Sequence, residues 1–498
     1  MTVESIWLER ARQQGSRTAV ADTRGAHSYA DLLAASERVA RSLLAERADL
    51  AEARVALLVD PGFEFPAVEW GIWRAGGVVV PLALSHPPAE LDYVLGDTGA
   101  EAVVASPGRL EQVQAVAATR GVRCLTTDEV LSLAGGEAEL PVVESRRRAL
   151  IVYTSGTTSR PKGAVWTHHG LAVQVRTLVE AWGWRSDDRV LLALPLHHVH
   201  GLINVLACSL SAGACCEMLP KFEAGEVWRR LASGEVSVWM AVPTLYHRLV
   251  AAWDEAPAEE QARWGEAVSQ LRLMVSGSAA LPVQLFERWR EISGHALLER
   301  YGMTEIGMAL SNPLVGERRP GTVGRPLPGV QVRIVDEGGN EVPAGSPGGL
   351  EVSGEGLFLE YWQRAEATRE VFRDGWFVTG DTVVCEDGYY RILGRSSVDI
   401  VKSGGYKISA LEVEAVLRDH PAVNDCAVLG LPDAEWGERV GAAVELAAGQ
   451  SLDLETLRAF CRDCLAPYKM PRALVLTPAL PRNAMGKVVK AEVKKLFG

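Results

Sequence analysis

The stretch Tyr153-Thr-Ser-Gly-Thr-Thr-Ser-Arg-Pro-Lys-Gly163 gathers small hydroxyl residues, glycine and lysine directly behind the apolar run Ala149-Leu-Ile-Val152. A backbone that wraps a polyphosphate uses these residue types. Glycine permits close approach, hydroxyls and amides donate to phosphate oxygens, and lysine adds charge. The Gly-x-x-x-x-Gly-Lys-Ser/Thr spacing of nucleoside triphosphatases cannot be fitted to it. Taken alone, the stretch also reads as a Ser/Thr-rich surface turn.

The surrounding pattern is one that holds such a loop in place. Tyr29 to Leu44 predicts an amphipathic helix, Arg54 to Val59 a buried strand and Phe65 to Ala75 a helix. Gly77 to Leu82 and Ala102 to Ala105 predict further buried strands. Strand–helix alternation implies a parallel sheet with helices on its faces. The pattern continues through Val190–Leu194, Val236–Met240 and Leu271–Val275. After about residue 320, short Gly- and Pro-punctuated strands such as Val330–Val335 and Gly349–Ser353 suggest a β-rich subdomain. Beyond Arg395 a compact α+β pattern follows, with a helix from Ala410 to His420 and a strand at Cys426–Leu429. The expected fold is therefore a large α/β N-terminal domain (1–395) and a small α+β C-terminal domain (399–498), with the boundary at 396–398.

Composition narrows the function classes. A chain of 498 residues with 48 % hydrophobic and 23 % charged residues forms a well-cored protein of several domains. A net charge of −12 argues against nucleic-acid or anionic-membrane partners but leaves small anions open. No signal peptide is evident at Met1–Arg10, and Leu202–Cys216 is too short to span a bilayer. Eight cysteines in so long a chain are not a disulfide framework, and Cys461-Arg-Asp-Cys464 has no second pair or nearby histidine. The expected location is cytoplasmic.

Further motifs follow in order: Glu299-Arg-Tyr-Gly-Met-Thr-Glu305, Gly375-Trp-Phe-Val-Thr-Gly-Asp381, Asp387 to Arg395, Lys402-Ser-Gly-Gly-Tyr-Lys-Ile408 and Pro481-Arg-Asn-Ala-Met-Gly-Lys487. In this order and spacing the chain resembles the acyl-adenylate-forming superfamily of acyl-CoA synthetases, adenylation domains and luciferases. The resemblance implies a two-step reaction using ATP, Mg²⁺ and coenzyme A, and a small mobile α+β C-terminal domain that rotates about a hinge at 396–398. It assigns Thr154, Ser155, Gly156, Thr157, Thr158 and Lys162 to the ATP phosphates, and Glu305 with Thr157 to the metal. Ser278, Glu299, Arg300, Tyr301, Gly302, Met303 and Thr304 border the nucleotide, with Tyr301 facing adenine. Asp381 and Arg395 take the ribose. Lys487, with His198 and Glu305, is implied in catalysis. Lys402, Ser403, Gly404, Gly405, Tyr406 and Lys407 are implied for coenzyme A. Two departures stand out. Ser159 replaces a usual glycine, and the usual hinge Asp or Lys is shifted within Ser396-Ser-Val-Asp399.

The acid is addressed by Leu196-His-His-Val-His-Gly201, Val242 to Arg248 and Ser276-Gly-Ser-Ala-Ala280. Leu196–Gly201, Leu273–Pro282, Glu299–Leu310, Arg319–Arg333 and Ser397–Lys407 resemble malonyl-CoA synthetases of the acyl-CoA synthetase family member three type, which activate malonate and often methylmalonate. Arg248, His198, Val199, His200, Ser278 and Met303 are the expected carboxylate-side residues. Arg248 lies one helical turn beyond Thr244, so a second substrate carboxylate would be its natural bidentate partner. A surface arginine paired with Asp254 or Glu255 is the plainer reading. A monocarboxylate:CoA ligase, or an acyl-AMP ligase loading a carrier's pantetheine arm, remains open.

Overall fold

The computed structural model describes residues 2–132, 139–154, 161–396, 398–403, 406–433, 436–462, 464–482 and 488–498, the side chains of Ser5 and Lys407 excepted. The chain forms two compact units, Met1–Gln331 with Ser353–Gly375, and Val332–Val352 with Trp376–Gly498.

The first unit holds two sheets that are mainly parallel. In one, strands run in the order Glu360–Tyr361, Gly163–Thr167, Arg148–Tyr153, Val78–Pro81, Arg54–Leu58, Ala102–Ala105, Arg123–Thr126. Its central strands are apolar on both faces, as expected where helices cover both sides. The Tyr29–Leu44 helix has its expected bounds because Ser28 and Asp31 form a reciprocal capping box at its start. The other sheet has nine strands, with Leu298–Met303, Leu273–Ser276, Val238–Ala241, Arg189–Leu192 and Cys215–Met218 as consecutive parallel neighbours. Beneath it Trp228 stacks on Trp264 at 5.0 Å, while Tyr246 meets Trp289 edge-on at 4.9 Å. The His168–Ala181 helix joins the two sheets. Its buried Gln174 donates to the carbonyls of Ile306 and Gly356 and accepts from the Met308 amide.

The second unit also has two sheets. One contains the strands Gln331–Val335, Gly348–Ser353, Trp376–Glu386 and Tyr389–Arg395. The other orders Tyr406–Ser409, Ile400–Ser403, Gly437–Leu446 and Val423–Asp433, with Ala473–Thr477 also beside Gly437–Leu446. Helix Ala410–Arg418 packs on this second sheet through Val413 and Leu417. Lys490, almost wholly buried, reaches Asp399 at 2.6 Å and Glu414 at 2.8 Å. Burial opposes its charge, yet the two carboxylates hold its pKa above the ordinary value. All eight cysteines are free. Cys461 is buried at the end of helix Leu454–Cys461 and Cys464 is exposed. No helix among the described residues is long and apolar enough to cross a membrane.

Glu69 is one of the charged residues buried in the first unit. It lies on helix Glu64–Arg74 and lines a small cavity with Trp7, Trp73, Leu171 and Ile203, and burial pushes its pKa up to about 8. The folded chain therefore keeps a proton that the unfolded chain releases above its ordinary value of 4.5. That stabilisation is complete at low pH and is lost as pH rises toward 8. Glu69→Gln is expected to raise unfolding free energy, with a gain growing by about 1.4 kcal/mol per pH unit across this window. Urea denaturation of both proteins at several pH values checks this.

Candidate active site

In open parallel sheets the carboxyl ends of the strands carry the ligand-binding loops, because the backbone there diverges into connections free to vary. Four neighbouring strands of the nine-stranded sheet end at Leu192, Ala241, Ser276 and Met303. The segments that follow or end them carry His197–His200, Pro243–Thr244, Gly277–Ser278 and Tyr301–Glu305. Motifs more than one hundred residues apart thereby reach one edge.

The charged centre of this edge is Arg300. It is 3 % exposed, and burial lowers its pKa to about 9 against a smaller opposing pull from Glu299. Its Nε and Nη2, which share one edge of the guanidinium, have no hydrogen-bond partner among the described residues. Glu299 is also buried, and loss of water pushes its pKa up to about 8 even though its carboxyl accepts from the Leu281 amide at 2.9 Å. Successive strand residues face opposite ways, so the two side chains diverge from the strand. Gly277 packs so tightly here that an added Cβ would stand 2.5 Å from the Arg300 guanidinium carbon. Gly302 is tighter still, with a Cβ falling 1.9 Å from the Gly307 carbonyl oxygen.

Ser278 adopts φ of +70°, a left-handed backbone that costs a serine energy and is found where a site over-determines it. Its Oγ lies 3.2 Å from His200 Nδ1. His200 opens a π-helical segment, His200–Ala207, and is fully buried. Burial first, then the charge of Arg300 and of His198, hold its pKa well below the ordinary value. The ring is therefore neutral. The His198 and His197 rings lie tilted at 46° with centroids 4.1 Å apart, and the pKa of His197 is lowered to about 3 by burial and then by His198 and His86. Val199 and Met303 are half-buried beside these groups in sequence.

Arg248 departs from expectation. Helix Pro243–Glu255 buries Pro243, Tyr246, Leu249 and Val250, and Tyr246 donates to the Val275 carbonyl. That choice of face leaves Thr244 and Arg248 exposed, with the Arg248 guanidinium 4.6 Å over the Phe222 ring. Asp254 is taken by Arg288 at 2.6 Å. The guanidinium in a dry environment is Arg300, which the sequence reading had placed on the nucleotide side.

Strand Arg148–Tyr153 ends at the hydroxyl-rich segment. Ser155, Gly156, Thr157, Thr158 and the departure at Ser159 lie outside the described residues. The Thr154 amide donates to the Lys162 carbonyl at 2.9 Å, closing the base of the segment. Lys162 Nζ sits 4.9 Å over the Tyr361 ring, and the Tyr361 hydroxyl donates to Glu305 Oε1 at 2.6 Å. Thr304 presents its carbonyl to the Trp166 indole at 3.1 Å. Tyr301 is half-buried, its backbone paired with Leu310. The Glu305 carboxylate is a hard oxygen donor of the kind that suits Mg²⁺.

In the second unit, Asp381 and Arg395 face each other across paired strands. Arg395 Nε lies 2.9 Å from Asp381 Oδ1, and its Nη1 donates to the Thr379 carbonyl at 2.8 Å. Asp381 is 4 % exposed, whereas the Arg395 side chain is half exposed. At the expected hinge, Ser396 Oγ is 2.8 Å from Thr382 Oγ1, and Asp399 accepts from the Arg395 amide at 3.0 Å. Ser397 lies outside the described residues, as do Gly404, Gly405 and Lys487, and nothing is described of the Lys407 side chain. Lys402 is exposed and reaches Glu337 at 3.4 Å, Ser403 is buried, and Tyr406 is 52 % exposed while stacking on Tyr468.

Two positions at these sites carried no sequence signal strong enough to single them out. Tyr361 is distant from Glu305 in the chain, and Lys490 resembles any other lysine near a C-terminus.

The AMP-binding enzyme family matches residues 7–362, and the AMP-binding enzyme C-terminal domain matches residues 412–487. The chain is 46 % identical to the mitochondrial malonate–CoA ligase ACSF3 of Bos taurus, over 98 % of this chain and 90 % of the relative. It is 41 % identical to the malonate–CoA ligase of Arabidopsis thaliana, over 99 % of this chain and 88 % of that protein. Among solved structures, ATP-bound MatB from Rhodopseudomonas palustris superimposes with a TM-score of 0.90 at 36 % identity, covering 100 % of this chain and 99 % of that one.

The burial of His200 makes a spectroscopic prediction. Its ¹⁵N signals are expected to show a neutral imidazole at pH values where an ordinary histidine, near about 6.5, is already protonated. Titration near pH 6.5 would show that water reaches the ring.

Proposed function

Because the chain belongs to the AMP-binding enzyme family, we propose that it is an ATP-dependent malonate:CoA ligase. One substrate carboxylate oxygen attacks the α-phosphorus of ATP and pyrophosphate leaves. The coenzyme A thiol then attacks the acyl carbon of malonyl-AMP, losing its proton, and AMP leaves.

The observation that carries the choice of acid is the open Nε and Nη2 edge of buried Arg300. A desolvated guanidinium is costly until a partner arrives, and a carboxylate accepts from both nitrogens of that edge at once. Malonate brings a second carboxylate for this purpose, while acetate or butyrate would leave the charge unpaired. Neutral His200, with Ser278 at 3.2 Å, adds polar contacts without adding a competing negative charge. Val199 and Met303 border the α-carbon in this reading, so methylmalonate is also a substrate.

The remaining residues take roles that fit their chemistry. Thr154, Lys162 and the hydroxyl-rich segment between them bind the β- and γ-phosphates. Glu305 and Thr157 hold Mg²⁺, which when bound offsets the negative charge gathered by two reacting anions. Tyr301 supports adenine, and Asp381 with Arg395 accepts and donates at the ribose. Lys487 donates to the oxygens on which charge builds during adenylation, with His198 bordering the acyl group. Rotation about 396–398 exchanges Lys487 for residues 402–407, which receive coenzyme A. The eight free thiols fit a reducing, cytoplasmic setting, and the malonyl thioester product fits supply to fatty-acid chain building.

The first test supplies ATP, Mg²⁺ and coenzyme A with malonate, methylmalonate, acetate or butyrate, and identifies each thioester by mass. Malonyl-CoA should dominate. Preferential butyryl-CoA would overturn the dicarboxylate assignment, and transfer only to a carrier protein's thiol would overturn coenzyme A as acceptor. Arg300→Met should lower malonate kcat/KM by about 100-fold or more, the usual scale for removing one partner of a buried charge pair. Arg300→Lys, which keeps the charge but loses the fork, should fall nearly as far. Arg248→Ala should stay within about threefold, as for a surface residue. Retained malonate preference in both Arg300 variants would sink the assignment.

A further inference from the structure

Residues 277–281 lead from strand Leu273–Ser276 toward helix Val283–Ser293, and one residue of the neighbouring strand holds both ends of this link. Glu299 is in parallel register with Ser276, where the link begins. Glu299 Oε1 accepts from the Leu281 amide at 2.9 Å, where the link ends. Glu299 is itself fixed, because its carbonyl accepts from the Asn312 amide at 3.0 Å and from Asn312 Nδ2 at 3.1 Å. Ser276, Gly277 and Leu281 are buried, whereas Ser278, Ala279 and Ala280 are exposed. The tip of the link is therefore held by its ends and not by packing around it. At that tip Ser278 keeps φ of +70°, a conformation that persists only where the surroundings over-determine it.

We infer that Glu299 is a positioning residue for the acyl site, closing residues 277–281 so that the Ser278 hydroxyl stays on His200 Nδ1. This role rests on reading Arg300, His200 and Ser278 as the acyl pocket. Ser278 Oγ lies 3.2 Å from His200 Nδ1, and His200 Nε2 is buried with no partner among the described residues. In a neutral imidazole, a hydroxyl that donates to Nδ1 places the ring proton on Nε2. That N–H is then a donor beside Arg300, whose charge acts on the same ring and whose Nε and Nη2 edge is also open. Gly277, the first residue of the link, abuts the Arg300 guanidinium, so a shift of the link disturbs both donors. Loss of water pushes the Glu299 pKa up to about 8, against smaller pulls from the Leu281 amide and Arg300. The carboxyl thus accepts from Leu281 without setting a full negative charge against an incoming anion.

The test combines steady-state kinetics of the full-length chain with ¹⁵N spectra of His200. Glu299→Met removes the acceptor and should lower malonate kcat/KM about fivefold to tenfold, the size of one net hydrogen bond, with the KM for ATP unchanged. Glu299→Gln restores a neutral acceptor and should bring the rate back to within about threefold. Ser278→Ala should fall as far as Glu299→Met, and the double variant no further, because both changes break one connection. In the spectra, Glu299→Met and Ser278→Ala should each turn a ring protonated at Nε2 into a mixture of the two tautomers. Multiplied losses in the double variant, or an unchanged tautomer in Glu299→Met, would assign Glu299 to structure alone and overturn the inference. A raised KM for ATP with malonate unaffected would instead place Glu299 beside the nucleotide, and would overturn it too. Should Glu299→Met fail to fold, Glu299→Asp draws the carboxyl back by one methylene and is read in the same way. If the unaltered chain activates another acid, the malonate reading fails while the tautomer comparison still decides the role of Glu299.

Discussion

A guanidinium taken wholly out of water with one edge unpaired is the constraint around which the first unit is arranged. Arg300 holds a charge that burial opposes strongly enough to lower its pKa to about 9. Its neighbours follow from that condition. Gly277 lacks a side chain because none fits against the guanidinium, and His200 is neutral because burial and the same positive charge exclude a proton. The strain at Ser278 is confined to the turn that brings its hydroxyl to His200. The guanidinium edge left without a partner is what the malonate proposal assigns to the second carboxylate.

The sheets explain how distant motifs meet. Parallel strands send their carboxyl ends in one direction, so loops after Leu192, Ala241, Ser276 and Met303 share an edge whatever their separation in the chain. The other sheet of the same unit delivers Tyr153 and Thr154 in the same manner, and Gln174, on the helix between the sheets, bonds to three separate backbone positions. Strands therefore set where the segments that follow them begin.

The second unit uses charge differently. Asp381 and Arg395 are joined by backbone register before their side chains pair, which fixes a carboxylate and a guanidinium beside each other without a long loop. Lys490 is enclosed between Asp399 and Glu414, so the segment following Arg395 is anchored at Asp399 to the end of the chain.

Much of the fold was legible in sequence because it depends on short-range signals. The Tyr29–Leu44 helix has a reciprocal cap and a continuous apolar face, and Arg54–Leu58, Val78–Pro81 and Ala102–Ala105 are uniformly apolar strands bounded by polar turns. The order and spacing of the motifs likewise determined the family, since each carries its own residue chemistry. The direction of a side chain did not follow. Arg248 sits at helical spacing from Thr244, yet tertiary packing turns Tyr246 inward and places Arg248 on Phe222. Arg300 is one strand residue from Glu299, and only the covering of that strand decides that both are dry and that an edge of the guanidinium is left open. Tyr361 reaching Glu305, and Glu299 reaching the Leu281 amide, are pairings between remote residues that no local pattern records. Sequence by itself settled which chemical groups are present and which elements carry them, because propensity and periodicity are local. Tertiary structure alone decided which groups lose water and which partners they find, because desolvation and hydrogen bonding depend on everything packed around them.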